Sequence, residues 1–249
     1  MRLFRPPSRG DTERFYDDLI EGDVSRSMWG AESRFDGEAI SRKPSVQDYF
    51  VGRVRPYLDA SMRVLDFGCG TGGFSMAMSP MVAEVQAVDL SSRFVEAGRA
   101  SVERSGIRNV HLRKIDDTLP FEDGEFDALL MLDLIHHLDR VEHTLREALR
   151  VLKPGGRLLV FEPNKLNPLL SLMCLLDRNE WGLLAMGTPG FYRRLLSPHL
   201  ELDELEFNGL LLGPDSPLAL SLADELDHGR LARPLRWMSP KIFATGRKR

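Results

Sequence analysis

The sequence predicts an α/β fold: a doubly wound, mostly parallel seven-stranded sheet with an antiparallel last strand, a helical N-terminal cap and an insertion before the final strands. Three observations carry the prediction. From Arg63 onward, short apolar runs rich in β-branched residues alternate with stretches of helical periodicity, and that alternation builds a parallel sheet with helices on both faces. A glycine-rich segment follows the first of these runs, at the point where a strand would turn into a helix. Finally, 249 residues with 43% hydrophobic and 28% charged side chains are enough to bury roughly 70–75% of the unfolded surface around one core. A single domain over residues 1–249 is therefore expected.

Residues 1–60 are polar with aromatic insertions at Phe15, Tyr16, Trp29, Phe35, Tyr49 and Phe50. They are expected to form helices over one end of the sheet. Residues 61–164 form the expected core, with strands at Arg63 to Phe67, Glu84 to Asp89, Asn109 to Ile115, Phe126 to Leu132 and Arg157 to Phe161, each bounded by Gly, Asp or Pro. Between the last two, Val141, Leu145, Leu149 and Leu152 recur at helical spacing until Lys153-Pro154-Gly155-Gly156 stops the helix. Residues 165–249 hold the substrate-side insertion and the closing strands. They contain an apolar helix, a Gly/Pro-rich stretch from Gly182 to Gly190, a helix near Leu218 to Leu226, and strands near Glu201 to Leu212 and Pro240 to Thr245. The final Gly246-Arg247-Lys248-Arg249 reads as a solvated tail.

Composition excludes several function classes. Thirty-three Lys and Arg against 37 Asp and Glu leave a net charge of -4, which provides no global field for a polyanion, so no nucleic-acid partner is expected. Two cysteines, Cys69 and Cys174, cannot build a disulfide framework or a four-thiolate zinc site, so reduced thiols, a cytoplasmic location and no metal are expected. Cys69 reads as a small buried residue between glycines. The basic stretch Met1 to Gly10 is not followed by an apolar segment, and the longest apolar run, Pro168 to Leu176, is about half a bilayer long. Neither a signal peptide nor a spanning helix is expected.

The chemistry concentrates in Val64-Leu65-Asp66-Phe67-Gly68-Cys69-Gly70-Thr71-Gly72-Gly73-Phe74. Its glycines let a ligand lie against bare backbone at a helix N-terminus. Gly68, Gly70 and Gly73 also satisfy a dinucleotide fingerprint, which would hold a pyrophosphate. Asp66 breaks the tie, because a carboxylate there repels a pyrophosphate but can hold an ammonium directly or through water. Asp89 ends the second strand, nineteen residues beyond Gly70, where a carboxylate accepts hydrogen bonds from both ribose hydroxyls. Past the third strand, Asp116 or Asp117 is placed to reach an exocyclic amine of adenine. The ligand so drawn has an ammonium, a ribose and an adenine, and no phosphate.

These residues resemble the class I (Rossmann-like) S-adenosylmethionine-dependent methyltransferases, in the branch that includes ubiquinone/menaquinone C-methyltransferases and many small-molecule O-methyltransferases. The resemblance runs through V-L-D-F-G-C-G-T-G (64–72), A-V-D-L-S (87–91), L-P-F-E-D-G-E-F-D (119–127), L-I-H-H-L (134–138) and L-K-P-G-G-R-L-L-V-F-E-P-N (152–164). It implies S-adenosyl-L-methionine as cofactor, held by Asp66, Phe67, Gly68, Gly70, Asp89, Leu90, Asp116, Asp117 and Met131. The segment from Asp116 to Phe121 is a residue short of the family pattern, so Asp116 and Asp117 compete for the adenine role.

The expected activity is methyl transfer to a small-molecule acceptor, with oxygen preferred over carbon. His136 and His137 follow the fourth strand on the sheet's carboxyl edge, where a doubly wound fold places its site. A histidine there is a candidate general base, as is Glu162 at the end of the fifth strand; either histidine could equally pack the next helix start. The run Leu166 to Leu176 is apolar on nearly every face. It suits a helix tucked under the cap or a homodimer contact, and equally a greasy wall for an apolar or lipid-like acceptor beside the N-terminal aromatics, with a peripheral membrane contact left open. A nicotinamide oxidoreductase shares the glycine pattern, but Asp66 opposes it. A non-catalytic cofactor-binding module would show itself by tight binding without turnover.

Overall fold

The structure, a computed structural model, describes residues 8–21, 35–116, 118–176, 180–210, 217–227, 229 and 232–249. The strands are β1 (Arg63–Phe67), β2 (Glu84–Asp89), β3 (Val110–Lys114), β4 (Phe126–Leu132), β5 (Leu152–Pro163), β6 (Leu200–Asn208) and β7 (Lys241–Lys248). They form one seven-stranded sheet in the order β3-β2-β1-β4-β5-β7-β6. β1 to β5 run parallel, and β7 lies antiparallel between β5 and β6. Around it pack α1 (Arg9–Glu21), α2 (Gly37–Ser41), α3 (Gly52–Val54), α4 (Gly73–Met78), α5 (Ser92–Arg104), α6 (Val141–Val151), α7 (Pro168–Leu176), α8 (Trp181–Met186), α9 (Pro189–Leu196), α10 (Pro217–Asp227) and α11 (Ala232–Leu235).

The central strands are buried on both faces, which is why they read as continuous apolar runs. Val64, Ala128 and Leu130 join the core on one face, and Leu65, Leu129 and Met131 the core on the other, the period of two expected of a strand. Phe50 belongs to the first of these cores, 4.7 Å from Phe74 and 5.4 Å from Phe161 between ring centroids. Phe50 and Tyr49 are thus part of the body and not a mere cover. Trp29 lies outside the described residues.

Several boundaries differ from the sequence expectation. β5 already pairs at Leu152, after which Lys153 to Gly156 bulge out and the ladder resumes at Arg157. The Gly/Pro-rich stretch from Gly182 to Gly190 holds most of α8 and the start of α9. Its Gly182 serves close packing, because a Cβ there would lie 1.6 Å from the His136 carbonyl oxygen. Pro189 opens α9, where its missing N–H costs nothing. The expected C-terminal tail is largely strand: Gly246, Arg247 and Lys248 all pair with β6. Residues 211 and 212, expected at the end of β6, lie outside the described residues.

α7 also departs from expectation. Leu169, Leu172 and Leu176 are 67%, 58% and 72% exposed, and no residue of α7 lines the main cavity. The helix caps the sheet's flank with only Cys174 fully inside. It is neither the buried helix nor the acceptor wall that its composition suggests. Among the described residues, no helix is long and apolar enough to cross a membrane.

Candidate active site

β1 ends in a loop whose backbone turns through left-handed positions at Gly68 (φ 81°) and Gly70 (φ 52°) before α4 begins, a conformation that glycine adopts without a Cβ penalty. Gly68 and Cys69 N–H both bond the Val88 carbonyl, at 2.8 and 3.0 Å, which ties the loop to the end of β2. Gly70 N–H donates to Asp89 Oδ2 at 2.8 Å, and Ser91 N–H to Asp89 Oδ1 at 2.9 Å. Ser91 in turn caps α5 by accepting from Phe94 N–H. A single carboxylate therefore holds the glycine loop and the start of α5 in register.

The loop, the strand ends and α1 enclose a cavity of about 340 Å³, within the range of small-molecule sites. Asp66, Phe67, Gly68, Gly70, Asp89, Leu90, Asp116 and His137 all line it. Its walls are mostly apolar, with Tyr16, Phe35, Phe74, Phe94, Ile115 and Leu138 among them, so the N-terminal aromatics do contribute although α7 does not. Asp66 is 2% exposed and accepts from the Ser75 hydroxyl at 2.5 Å. Burial pushes its carboxyl up to about 7. Burial also raises Asp89, partly offset by the backbone N–H groups of Ser91 and Gly70. The Cys69 thiol, buried beside these carboxylates, is raised well above its ordinary value and stays protonated.

Three expected site residues lie elsewhere. Met131 is fully buried in the core beneath the sheet edge, and Leu132 takes the place on the cavity wall. Glu162 is fully buried and does not line the cavity. Its Oε1 accepts from Leu134 and Ile135 N–H at 2.9 and 2.7 Å, and its Oε2 from His136 N–H at 3.3 Å, His136 Nδ1 at 2.7 Å and the Tyr192 hydroxyl at 3.3 Å. A carboxylate so occupied anchors the turn after β4 and is no free base. His136 is 1% exposed, with Nδ1 on Glu162 and Nε2 3.3 Å from Glu180. Burial alone would lower its basicity, but the charges and hydrogen bonds of Glu162 and Glu180 outweigh it and hold His136 up at about 10. It is an imidazolium at neutral pH and cannot accept a proton. Asp117 lies outside the described residues, and Asp116 lines the cavity.

His137 differs from its neighbour. Burial, then the adjacent His136 charge, hold it down at about 4, so it is neutral at physiological pH and points its Nε2 at the Tyr16 hydroxyl, 3.0 Å away. The turn that presents it starts at Asp133, whose φ of 52° is the one positive value of a non-glycine among the described residues. Such a conformation persists only where the surroundings hold it. Lys241 of β7 does so through an ion pair with the Asp133 carboxylate, and Asp133 N–H bonds the Phe161 carbonyl at 2.9 Å. His136, His137 and Glu180 bring potential ligand atoms within 4.8 Å of one another; as they stand, both ring nitrogens of His136 are taken by carboxylates.

Residues 65–160 match the family described as a methyltransferase domain. Over that stretch the chain is similar to methyltransferase domains. Over 103 residues it is 38% identical to a demethylmenaquinone methyltransferase of Tropheryma whipplei (strain Twist), covering 41% of this chain and 42% of that protein. Over 152 residues it is 29% identical to a ubiquinone biosynthesis O-methyltransferase of Xanthomonas axonopodis pv. citri (strain 306), covering 61% and 62%. In both cases the match spans less than two thirds of the relative's length. A solved S-adenosylmethionine-dependent methyltransferase from Aquifex aeolicus superposes with a TM-score of 0.60 at 19% identity, covering 85% of this chain and 98% of that one, a likeness of fold.

The Aquifex aeolicus protein is described as dependent on S-adenosylmethionine, and the residues present in this chain fit that molecule. A Cβ placed on Gly70 would meet nothing within 4 Å, so the glycine fronts open cavity where ligand backbone contact would fall. Asp66 offers a buried carboxylate for an ammonium. Asp89 offers a second at the end of the adjacent strand, lining the same cavity. Tyr16, Glu180 and Lys241 lay outside the sequence reading of the site. Tyr16 stood among the noted aromatics, but nothing local in sequence joins it to His137.

Proposed function

We propose that the protein transfers the methyl group of S-adenosylmethionine to a small, apolar acceptor, preferentially onto the oxygen of an ionisable hydroxyl such as that of a quinone precursor, in a reducing cytoplasmic setting. The observation that carries this reading is the pair Asp66 and Asp89 on neighbouring strand ends around the open space at Gly70, all in one largely apolar cavity. The quinone-related relatives support the acceptor class, and the side chains of Tyr16, Phe35, Phe74, Phe94, Ile115 and Leu138 on the cavity wall support an apolar one, beside a rim that also carries charged residues such as Arg9, Lys43 and Arg140.

The bound cofactor supplies an already activated methyl on a sulfonium, which leaves as a thioether when the acceptor oxygen attacks in line. The chain's own residues bind, orient and exclude water. Asp66 takes the ammonium, Asp89 the ribose hydroxyls and Asp116 the adenine side. Holding donor and acceptor at attack distance is worth several kcal/mol, up to about 7–11 in the best intramolecular cases. His137 receives the acceptor's proton. Its weak basicity suffices, because an oxygen that is gaining a methyl becomes a strong acid before the proton must leave. Calorimetry with S-adenosylhomocysteine and with NAD, followed by transfer of tritiated methyl to phenols, hydroquinones and hydrophilic acceptors, tests the reading. Binding of NAD alone, or turnover only on hydrophilic acceptors, overturns it.

A further inference from the structure

α1 presents Arg9, Glu13, Tyr16 and Asp17 at i, i+4, i+7 and i+8, so the four share one helix face. Each reaches a different point on the rim of the cavity. Arg9 lies 3.8 Å from Asp116, Glu13 3.2 Å from Lys114, Tyr16 3.0 Å from His137, and Asp17 accepts from the Ser91 hydroxyl. None of residues 9–17 is buried; among the described contacts the Tyr16 ring adds packing, 5.3 Å from Phe94 and edge-on to His137 at 5.7 Å. An element held by exposed polar contacts opens at low cost. Of the four ties, only the Tyr16 hydroxyl engages a group that the methyl-transfer reading gives a chemical task.

We propose that Tyr16 is a further catalytic residue, delivered by closure of α1, through which the acceptor's proton reaches His137. This rests on the reading of the cavity as the methyl-transfer site. Tyr16 and His137 both line the cavity, and the Tyr16 hydroxyl already occupies His137 Nε2, so a proton bound for that nitrogen has the phenol in its way. As the acceptor oxygen forms its bond to the methyl carbon, the carbon–sulfur bond breaks with its electron pair going to sulfur. The acceptor's proton passes to the Tyr16 oxygen, and the proton that Tyr16 carried passes to His137 Nε2. Tyr16 is regenerated, and His137 returns its proton to water when α1 opens.

Tyr16→Phe keeps the ring and its contact with Phe94 while deleting the relay. In the intact protein we expect S-adenosylhomocysteine affinity within about threefold of wild type and a single-turnover rate on phenolic acceptors at least tenfold lower, since positioned proton transfer is worth about 10²–10⁴-fold. Adding Tyr16→Phe to His137→Phe should cost nothing more. Tyr16→Phe at wild-type rate beside a slow His137→Phe overturns the relay and leaves His137 acting directly. Normal rates in both variants overturn the role of His137, and loss of cofactor binding by wild type overturns the site itself. If no phenol in the panel is methylated, ¹⁵N spectra of the imidazoles decide: with S-adenosylhomocysteine bound, Tyr16→Phe must shift the His137 Nε2 resonance and increase amide exchange in α1. An unmoved resonance removes Tyr16 from His137 and ends the proposal.

Discussion

Replacing Glu162 by Gln tests the buried anchor beneath the site. The carboxylate collects five donors on two oxygens, and an amide can accept on only one of its two ends. If the NH₂ replaces Oε1, it faces the N–H groups of Leu134 and Ile135; if it replaces Oε2, it faces His136 and Tyr192. Either orientation orphans at least two buried donors at about 1–3 kcal/mol each and strips His136 of a counter-charge, so a loss on the order of 3–5 kcal/mol is expected, as for a broken buried pair. For a chain of this size that lowers Tm by roughly 6–20 °C. The pH dependence supplies a second signature. His136 sits at about 10 when folded against roughly 6.5 unfolded. Its stabilisation is therefore complete below pH 6.5 and lost as pH climbs through 10. The difference in unfolding free energy between wild type and Glu162→Gln, measured by urea titration, should shrink over that window. A variant within 1 kcal/mol of wild type, or a difference that stays constant with pH, would refute the anchoring role.

Three further outcomes concern the cofactor side. Asp89→Ala removes two charge-assisted bonds to the ribose and should weaken S-adenosylhomocysteine binding tenfold to several hundredfold by calorimetry; an unchanged affinity in a folded variant takes Asp89 out of the site. Gly70→Val places a β-branched side chain at φ 52° and in the open space of the cavity, so binding should vanish while circular dichroism still reports the sheet. Asp66, near 7 in the free site, should be driven to its anion by the ligand's ammonium. Affinity should then rise with pH up to about 7 and level off above it, with up to one proton released near pH 6, read by calorimetry in buffers of different ionisation enthalpy; a flat profile without proton release contradicts the Asp66 contact.

The parts of the fold visible in sequence are those where side-chain pattern and backbone role coincide. β1, β2 and β4 have the bounds that their apolar runs suggest, because both faces are buried and nothing but strand fits. The end of β7 was hidden, since Gly246, Arg247 and Lys248 are held by backbone pairing with β6 and offer no apolar side chain to signal a strand. The role of Gly182 was hidden because a glycine kept for close packing, here against the His136 carbonyl, cannot be told from one kept for a turn until its neighbour is known. At the site, glycines and carboxylates spaced by strand ends were legible as a group. The division of labour among His136, His137 and Glu162 was not, because all three reach the same sheet edge and only burial separates an anchored pair from an available imidazole. Tyr16 could not have been found, its partner being 121 residues away.

The fastening of Asp133 by Lys241 has a bearing on how the molecule comes together during synthesis. β1 to β5 form a parallel set whose order could assemble as the chain leaves the ribosome, since each strand's partner precedes or closely follows it. The turn carrying His137 is different: Phe161 and Glu162 of β5 hold its backbone, but the ion pair on the Asp133 carboxylate comes from a residue 108 positions later, on the strand that must slide between β5 and β6. β6 has only β7 for a neighbour, so it too waits. A nascent chain stopped short of Lys241 would therefore hold a nearly complete cofactor cradle with the Asp133 turn held by β5 alone, its carboxylate without the Lys241 ion pair. Competence to bind and competence to react should be acquired at different moments, separated by the arrival of a single edge-closing strand.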